Sequence, residues 1–174
     1  MTMATLYTQI YSAPCGDLLL GSLGEELCLC EWATRARRCG ALAQKLGADV
    51  LDAPSPVIEQ AARELDEYFA GGRRQFDVPL LRVGTDFQKH VWQALLDIPF
   101  GQARSYAWLA QRVGHPKAAR AVGAALRANR IAIFIPCHRV TGSDGGLTGF
   151  AGGLPAKEFL LKIEQCSRGL QENS

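Results

Sequence analysis

A cysteine, a histidine and an arginine follow one another at positions 137–139, directly after Pro136 and the apolar run IAIFI. A thiolate is a strong nucleophile, and neighbouring positive charge favours thiolate over thiol. A Cys-His pair of this kind suits a protease, an amidase or an acceptor of alkyl groups, and the spacing alone does not separate these classes. The competing interpretation of Cys137 is a buried, unreactive thiol that only fills space.

The elements around this cysteine are a predicted strand and a predicted pair of helices. The apolar residues 131–135 predict a buried strand whose end presents Cys137 to a cleft. Upstream, SYAWLAQRVG predicts a helix that begins after a possible cap at Ser105 and stops at Gly114. PKAARAVGAALRAN predicts a second helix with Pro116 in its first turn. Two short helices joined by GHP indicate a helix-turn-helix.

The second of these helices is rich in alanine and glycine. The core face is expected at Val122, Ala125 and Leu126, and another face carries small residues with arginines: Arg120, Gly123, Ala124 and Arg127. Small side chains let a helix backbone enter a narrow space such as the minor groove, whereas major-groove readers use long polar side chains. The competing interpretation is a tightly packed alanine-rich helix.

Charge is spread unevenly along the chain. Residues 1–84 hold 8 Lys/Arg and 11 Asp/Glu, whereas residues 85–174 hold 11 and 6. No acidic residue lies between Asp97 and Asp144, an interval with seven basic residues: Arg104, Arg112, Lys117, Arg120, Arg127, Arg130 and Arg139. A stretch of one sign attracts polyanions, with nucleic acid the leading candidate. A solvated face or an acidic protein partner is the alternative.

Composition indicates a folded protein with one domain or two small ones. The 174 residues are 48% hydrophobic and 21% charged. There is no run of about 18 apolar residues to span a membrane, and the N-terminus shows no secretory signal. The six cysteines are therefore expected to be reduced in a cytoplasmic protein.

The first half reads as mixed α and β structure. TLYTQIYS, DLLLGSL and ELCLCEWA predict strands, and SPVIEQAARELDEYFAGG predicts a helix capped by Ser55 with Pro56 in its first turn. A shift in composition places a domain boundary near residue 84, giving domains 1–84 and 85–174. Thr85 is then a possible cap for the helix DFQKHVWQALLDI, and LPAKEFLLKIEQC predicts a last amphipathic helix.

IPCHRV followed by GLTGFAGGLPAKEFLLKIE, with SYAWLAQRVGHPKAARAVGAALRAN upstream, strongly resembles the O6-alkylguanine-DNA alkyltransferases, the methylated-DNA–protein-cysteine methyltransferases. The similarity covers residues 87–164 nearly without a gap, and the first domain more weakly. It implies an α+β fold: an N-terminal ribonuclease H-like α/β domain, then a mainly helical, winged helix-turn-helix-like DNA-binding domain. A helix would enter the minor groove, and the target nucleotide would be flipped into a pocket.

The resemblance also implies roles for single residues. Cys137 would accept the alkyl group, His138 would take its proton through a water, and Glu164 would orient His138. Asn129 would brace the active-site segment, and Tyr106 would contact the flipped nucleotide and protonate the leaving guanine.

Further residues would contact DNA or line the base pocket. Arg120 would fill the gap that the flipped base leaves. Other DNA contacts are expected at Ser105, Ala119, Ala121, Gly123 and Arg127. The base pocket would be formed at Val140, Ser143, Phe150 and Ala151, of which the last two replace a tyrosine and a serine of some relatives.

The implied reaction is a displacement in which sulfur takes the alkyl group from O6-alkylguanine, or O4-alkylthymine, in double-stranded DNA. The thioether product is not cleaved by the relay, so each molecule would react once, as a monomer, without a cofactor or a membrane. Some relatives carry a structural zinc in the first domain. Here Cys15, Cys28, Cys30 and Cys39 include no CxxC pair, and no metal site is predicted.

Three other functions remain in competition. A non-catalytic protein that only recognises the lesion would lack the acceptor cysteine. A transcription regulator would need a long polar recognition helix. A Cys-His hydrolase would turn over many times and would not need Arg120 or the alanine-rich helix.

Overall fold

The computed structural model describes residues 3–35, 37–142, 150 and 152–172. The chain folds into two compact units, Met1–Arg82 and Val83–Ser174. Sheet and helices occur in both units, so the predicted α+β class is confirmed. None of the helices in the described ranges is both long and apolar enough to cross a membrane.

A four-stranded mixed sheet forms the centre of the first unit. Its strands are β1 Ala4–Ala13, β2 Gly16–Leu23, β3 Glu26–Trp32 and β4 Ala48–Asp52, in the order β3-β2-β1-β4. The chain reverses between the first three strands, which pair antiparallel, whereas β4 pairs parallel to β1. The three predicted strands are thus confirmed.

Two helices accompany this sheet: α1 Arg37–Leu46, which precedes β4, and α2 Pro56–Phe69. The side chain of Ser55 accepts a hydrogen bond from Ile58 N at 3.1 Å, and Pro56 occupies the first turn, as predicted. Val57, Ala61 and Leu65 bury the apolar face of α2 in the core of this unit.

The second unit is mainly helical. Its helices are α3 Asp86–Leu96, α4 Tyr106–Arg112, α5 Ala119–Arg127 and α6 Leu154–Glu172. Two short strands, β5 Arg104–Ser105 and β6 Val140–Thr141, pair in parallel. The caps of α3 and α4 are confirmed, because Thr85 forms a capping box with Gln88 and the Ser105 side chain accepts from Trp108 N.

Helices α4 and α5 form the predicted helix-turn-helix, but α5 begins later than expected. Pro116 does not lie in its first turn, because a turn closed by Ala118 N and His115 O at 2.9 Å precedes the helix at Ala119. Val122 and Ala125 are buried as expected, whereas Leu126 is only half-buried. The indole of Trp92 on α3 donates to Ala125 O at 2.8 Å, which fixes α5 against α3.

The predicted strand over residues 131–135 is wrong. All five residues are buried, but they form a turn in which Ile135 N donates to Ile131 O at 3.0 Å. Ile133 adopts φ of +73°, a left-handed conformation that strains a β-branched residue. The apolar run correctly predicted burial, but it could not reveal that a side chain replaces a strand partner.

Candidate active site

That side chain is Asn129, which lies two residues after α5. Its Nδ2 donates to Ile135 O at 3.0 Å, and its Oδ1 accepts from Ile131 N at 3.0 Å. Asn129 is buried, so the two bonds satisfy backbone groups that are shielded from water. The amide therefore closes the strained turn and fixes the segment that leads to Pro136.

The predicted nucleophile begins the next element, a single turn of 3-10 helix over Cys137–Arg139. All three of its side chains are buried, with 8% exposure at Cys137 and none at His138. The turn leads directly into β6. Cys137 is therefore held on both sides by ordered backbone and presents only a small edge to solvent.

His138 contacts Glu164 of α6 through a single short bond. Its Nε2 lies 2.7 Å from Glu164 Oε1, and both side chains are fully buried. Burial by itself raises the pKa of Glu164, but His138 and Arg139 outweigh it and hold that pKa at about 2. An ionised carboxylate only accepts, so the hydrogen between the two groups belongs to His138 Nε2.

The other ring nitrogen of His138 is left as an acceptor. Burial lowers the pKa of His138, and Arg139 and Lys157 also lower it, whereas Glu164 raises it. The imidazole is thus neutral at rest, with its hydrogen on Nε2 and a lone pair on Nδ1. This buried Nδ1 makes no hydrogen bond within the described part of the chain. It can take a proton directly or through one water.

Arg139 has a different partner from the one expected. The sequence suggested that its charge favours the thiolate of Cys137, yet its Nη2 and Nε lie 2.9 Å and 3.0 Å from Glu164 Oε1 and Oε2. Its Nη1 donates to Ile98 O at 2.8 Å. The buried arginine therefore supports the carboxylate rather than the thiol.

The cation that acts on Cys137 is Lys157, which sequence reasoning missed. Burial raises the pKa of the Cys137 thiol, whereas a hydrogen bond from Asn129 and the charge of Lys157 lower it. Lys157 is 1% exposed and donates through Nζ to Val140 O at 2.6 Å. Burial also lowers the pKa of Lys157. Since burial dominates at Cys137, the group rests as a thiol and needs a base.

A signal for Lys157 was present in the sequence. Lys157, Leu160 and Glu164 recur at helical spacing and lie on the buried face of α6, with exposures of 1%, 0% and 0%. Two opposite charges in the apolar stripe of an amphipathic helix are unusual, since buried charges require partners. That stripe could have pointed to Lys157 before the structure was known.

The remaining predicted pocket residues lie at several levels of exposure. Val140 is fully buried, whereas Tyr106 and Phe150 are half-buried. Ser143 and Ala151 lie outside the described residues. The position of Tyr106, at the first residue of α4, follows from the cap at Ser105, which starts the helix there.

The outer face of α5 is exposed and consists mostly of small side chains. Ala119, Arg120, Ala121, Ala124 and Arg127 are exposed, and Gly123 is half-buried. A methyl group added at Gly123 would meet only Arg127 Nη1, at an ordinary 3.6 Å, so folding does not require glycine here. Instead, the absence of a side chain at Gly123 leaves the helix backbone accessible on this face.

The seven basic residues of the acid-free interval divide into two groups. Arg139 is buried, Arg130 donates to Val83 O at 2.9 Å, and Arg112 lies 3.5 Å from Asp97. Arg104 stacks on Trp108 and donates to Gln102. The exposed positive charge nearest to α5 comes from Lys117, Arg120 and Arg127.

Among the residues that the structure describes, the cysteines of the first unit are not grouped with other possible metal ligands. Cys28, Cys30 and Cys39 are buried, and all six cysteines of the chain are free thiols. Within residues 3–35, 37–142, 150 and 152–172, no three His, Cys, Asp or Glu side chains are grouped to hold a metal ion. The residues present therefore do not fit a structural zinc.

Two family models match the chain. The DNA binding domain of 6-O-methylguanine DNA methyltransferase matches residues 86–166, and the ribonuclease-like domain of the same family matches residues 6–81. A methylated-DNA–protein-cysteine methyltransferase of Methanosarcina acetivorans is 42% identical over 91% of this chain and 98% of its own length. A relative with the same name in Methanosarcina barkeri is 44% identical over 92% and 98%.

Solved structures agree with these matches. The OGT protein of Mycobacterium tuberculosis, solved in complex with DNA, superposes with a TM-score of 0.83 at 40% identity, covering 92% of this chain and 94% of that one. The O6-methylguanine-DNA methyltransferase of Pyrococcus kodakaraensis superposes with a TM-score of 0.66 at 27% identity, covering 91% and 98%. The chain therefore belongs to the 6-O-methylguanine DNA methyltransferase family.

Proposed function

We propose that the chain repairs DNA by moving the alkyl group of O6-alkylguanine, or of O4-alkylthymine, onto Cys137 Sγ. The observation that carries this proposal is the buried thiol beside His138, whose Nδ1 has a free lone pair while Nε2 is held by Glu164. This arrangement lies within the span that matches the DNA binding domain of the family.

The first step is a proton transfer. The Cys137 Sγ–H proton passes through one water to His138 Nδ1, leaving a thiolate and an imidazolium. Glu164 stabilises the imidazolium through Nε2, and Lys157 stabilises the thiolate by its charge. Both new charges thus form beside existing charges of opposite sign.

The second step is a displacement at the alkyl carbon. The thiolate forms the S–C bond, the C–O6 bond breaks, and its electron pair goes to guanine. Guanine is a poor leaving group as an anion, so Tyr106 donates its phenolic proton and then regains one from solvent. The products are unmodified guanine and an S-alkyl cysteine.

A thioether has no good leaving group for the relay to displace, so the reaction consumes Cys137. A Cys-His hydrolase differs at this point, because water cleaves its acyl intermediate and restores the thiol. A protein that only recognises the lesion needs no thiol here, and a regulator needs long side chains on α5. The presence of Cys137 therefore argues against the protein that only recognises the lesion, and the exposed small face of α5 argues against the regulator.

DNA binds to the chain through the helix-turn-helix, with α5 in the minor groove. Ala119, Ala121 and Gly123 let the helix backbone approach the groove, and Ser105 and Arg127 contact the flanking strand. Arg120 enters the base stack in place of the flipped nucleotide. Val140 and Phe150, with Ser143 and Ala151, hold the flipped base.

We propose that residues 85–174 carry the chemistry and that residues 1–84 form the supporting N-terminal domain. The chain would act as a monomer in the cytoplasm, where its six free thiols stay reduced. Fractionation of cells that express a tagged chain, probed for the tag in each fraction, tests the location.

The end point of the reaction tests the function. An excess of oligonucleotide with O6-methylguanine is incubated with known amounts of protein, and repaired guanine is counted by base analysis. We expect at most one repaired base per protein molecule, and none with Cys137→Ser. Cys166→Ser is the matched control, because it removes the most exposed thiol and should leave the yield unchanged. Repair that continues beyond one base per molecule would refute the proposal.

A further inference from the structure

The buried side chain of Arg139 makes several polar contacts in the active site. Its guanidinium forms three hydrogen bonds to the two Glu164 oxygens, at 2.9 Å, 3.0 Å and 3.2 Å. A fourth bond fixes Nη1 on Ile98 O, and the group lies 5.7 Å from the centre of the Phe100 ring. The arginine is 6% exposed, so water screens these contacts little.

The carboxylate of Glu164 affects whether His138 is protonated before the reaction. A buried carboxylate beside an imidazole favours the imidazolium, since opposite charges stabilise each other. An imidazolium has no lone pair on Nδ1 and cannot take the proton of Cys137. Glu164 must therefore hold His138 in place without keeping it protonated before the reaction.

We propose that Arg139 solves this conflict as a positioning residue: it neutralises and orients the Glu164 carboxylate, so that Glu164 holds His138 at Nε2 while Nδ1 stays an acceptor. The inference rests on the proposed role of His138 as the proton acceptor. The alkyl-transfer chemistry does not itself require an arginine at this place.

The balance of charges around His138 agrees with this role. Glu164 on α6 raises the pKa of His138, whereas Arg139 on the adjacent position and Lys157 on α6 lower it. The loop after α3 contributes a neutral donor, Gly101 N, at 3.4 Å from Glu164 Oε2. Without Arg139, the negative charge of Glu164 and the positive charge of Lys157 would remain, and only Glu164 is bonded directly to the imidazole.

Geometry distinguishes arginine from lysine in this site. The planar guanidinium reaches both carboxylate oxygens and the Ile98 carbonyl at once, whereas an ammonium is a point charge without that fork. Arg139→Lys therefore keeps the charge but loses part of the orientation. Arg139→Gln loses the charge altogether.

The pH dependence of the reaction separates the proposed role from a structural one. The rate of single-turnover repair is measured from about pH 5 to about pH 9, a range that brackets the usual pKa of histidine. Loss of a buried positive charge raises the pKa at which the Cys137–His138 pair gives up a proton, whichever group holds it. For Arg139→Gln we expect the acid limb to move up by about one pH unit, with a rate about tenfold lower on that limb and recovery at high pH. For Arg139→Lys we expect the limb to stay near that of the unchanged protein.

A purely structural role gives a different result. It lowers the rate by the same factor at every pH and leaves the acid limb in place, and this outcome would overturn the proposal. An equal shift of the limb in Arg139→Lys and Arg139→Gln would also overturn it, because charge would then not be the cause.

A second readout does not depend on repair. The chain has three histidines, so the imidazole signals can be followed by NMR without DNA and assigned with His90→Gln and His115→Gln. We expect His138 to titrate at a higher pH in Arg139→Gln. This shift would support the inference even if alkyl transfer failed, and an unchanged titration would refute it even if repair succeeded.

If Arg139→Gln does not fold, the double variant Arg139→Gln/Glu164→Gln replaces it, because this change buries no unpaired charge. With the carboxylate also removed, we expect His138 to titrate no higher than in the unchanged protein. A higher titration in the double variant would show that Arg139 acts independently of Glu164, which contradicts the proposal.

Discussion

The second unit contains two polar regions that differ in burial: one is buried and the other is exposed. Around Cys137, the ionisable groups His138, Lys157 and Glu164 are at most 1% exposed and bonded to one another or to backbone. On the outer face of α5, Arg120 and Arg127 stand exposed among alanines. In the proposed reaction, the first region moves a proton and the second opens the DNA.

The difference predicts where a mutation acts. In the buried region Arg139 is paired with Glu164, so that replacing either residue leaves the other charge buried without its partner and affects stability and chemistry together. On the α5 face, side chains mostly contact solvent, so replacements there should change DNA binding and leave the fold intact. The following variants test that separation, from the largest expected effect to the smallest.

Glu164→Gln should have the largest effect. It removes the negative charge beside His138 and leaves Arg139 buried without a countercharge, so we expect a loss of about 3–5 kcal/mol in the free energy of unfolding at pH 7, together with slow alkyl transfer. Urea denaturation and single-turnover kinetics measure the two effects.

Glu164→Gln should also remove part of the pH dependence of the free energy of unfolding. The pKa of Glu164 is depressed to about 2, so its contribution to stability is present above the unfolded pKa of about 4.3 and disappears as pH falls towards 2. The two proteins should therefore converge in stability in acid. A difference in unfolding free energy that stays constant from neutral pH to about pH 3 would contradict this account.

Asn129→Ala should come next. Without the amide, Ile131 N and Ile135 O lose their side-chain partner in the buried turn, and we expect a loss of about 2–4 kcal/mol in unfolding free energy. Alkyl transfer should slow as well, because Cys137 follows the turn. Asn129→Asp is the control that keeps the acceptor for Ile131 N. If Asn129→Ala kept full stability, the turn would not depend on this brace.

These residues show how far sequence reasoning could reach. Caps at Ser55, Thr85 and Ser105 were predictable, because capping depends on neighbours a few residues apart. The partner of Arg139 was not, since Glu164 lies 25 positions away and the contact depends on how α6 packs. The turn at Ile133 was hidden for the same reason, because Asn129 takes the place of a strand in satisfying the backbone.

Arg120→Ala should leave stability unchanged and reduce repair of duplex DNA by about tenfold, because the arginine offsets the loss of stacking when the base leaves the helix. Single-stranded substrate, which needs no such compensation, should be repaired almost normally. Arg112→Ala is the matched control, an exposed arginine that is paired with Asp97. Equal losses on duplex and single strand would argue against insertion of Arg120.

Gly123→Ala should have the smallest and most selective effect. A glycine inside a helix costs about 0.5–1 kcal/mol relative to alanine, and the added methyl group meets only ordinary contacts, so stability should rise by that amount. Affinity for DNA should fall, because the added methyl group would keep the helix backbone farther from the groove. Thermal melting and a binding titration measure the two changes, and a parallel change in both would contradict the separation of the two regions.

The central claim is that Cys137 is the group consumed in repair. Its most direct test is the mass of the tryptic peptide 131–139 after reaction with DNA that contains O6-methylguanine. The account predicts a gain of one CH2 unit on this peptide for each base repaired, and no gain on peptide 163–168, which carries the exposed Cys166. Complete repair with an unchanged mass at Cys137 would contradict it.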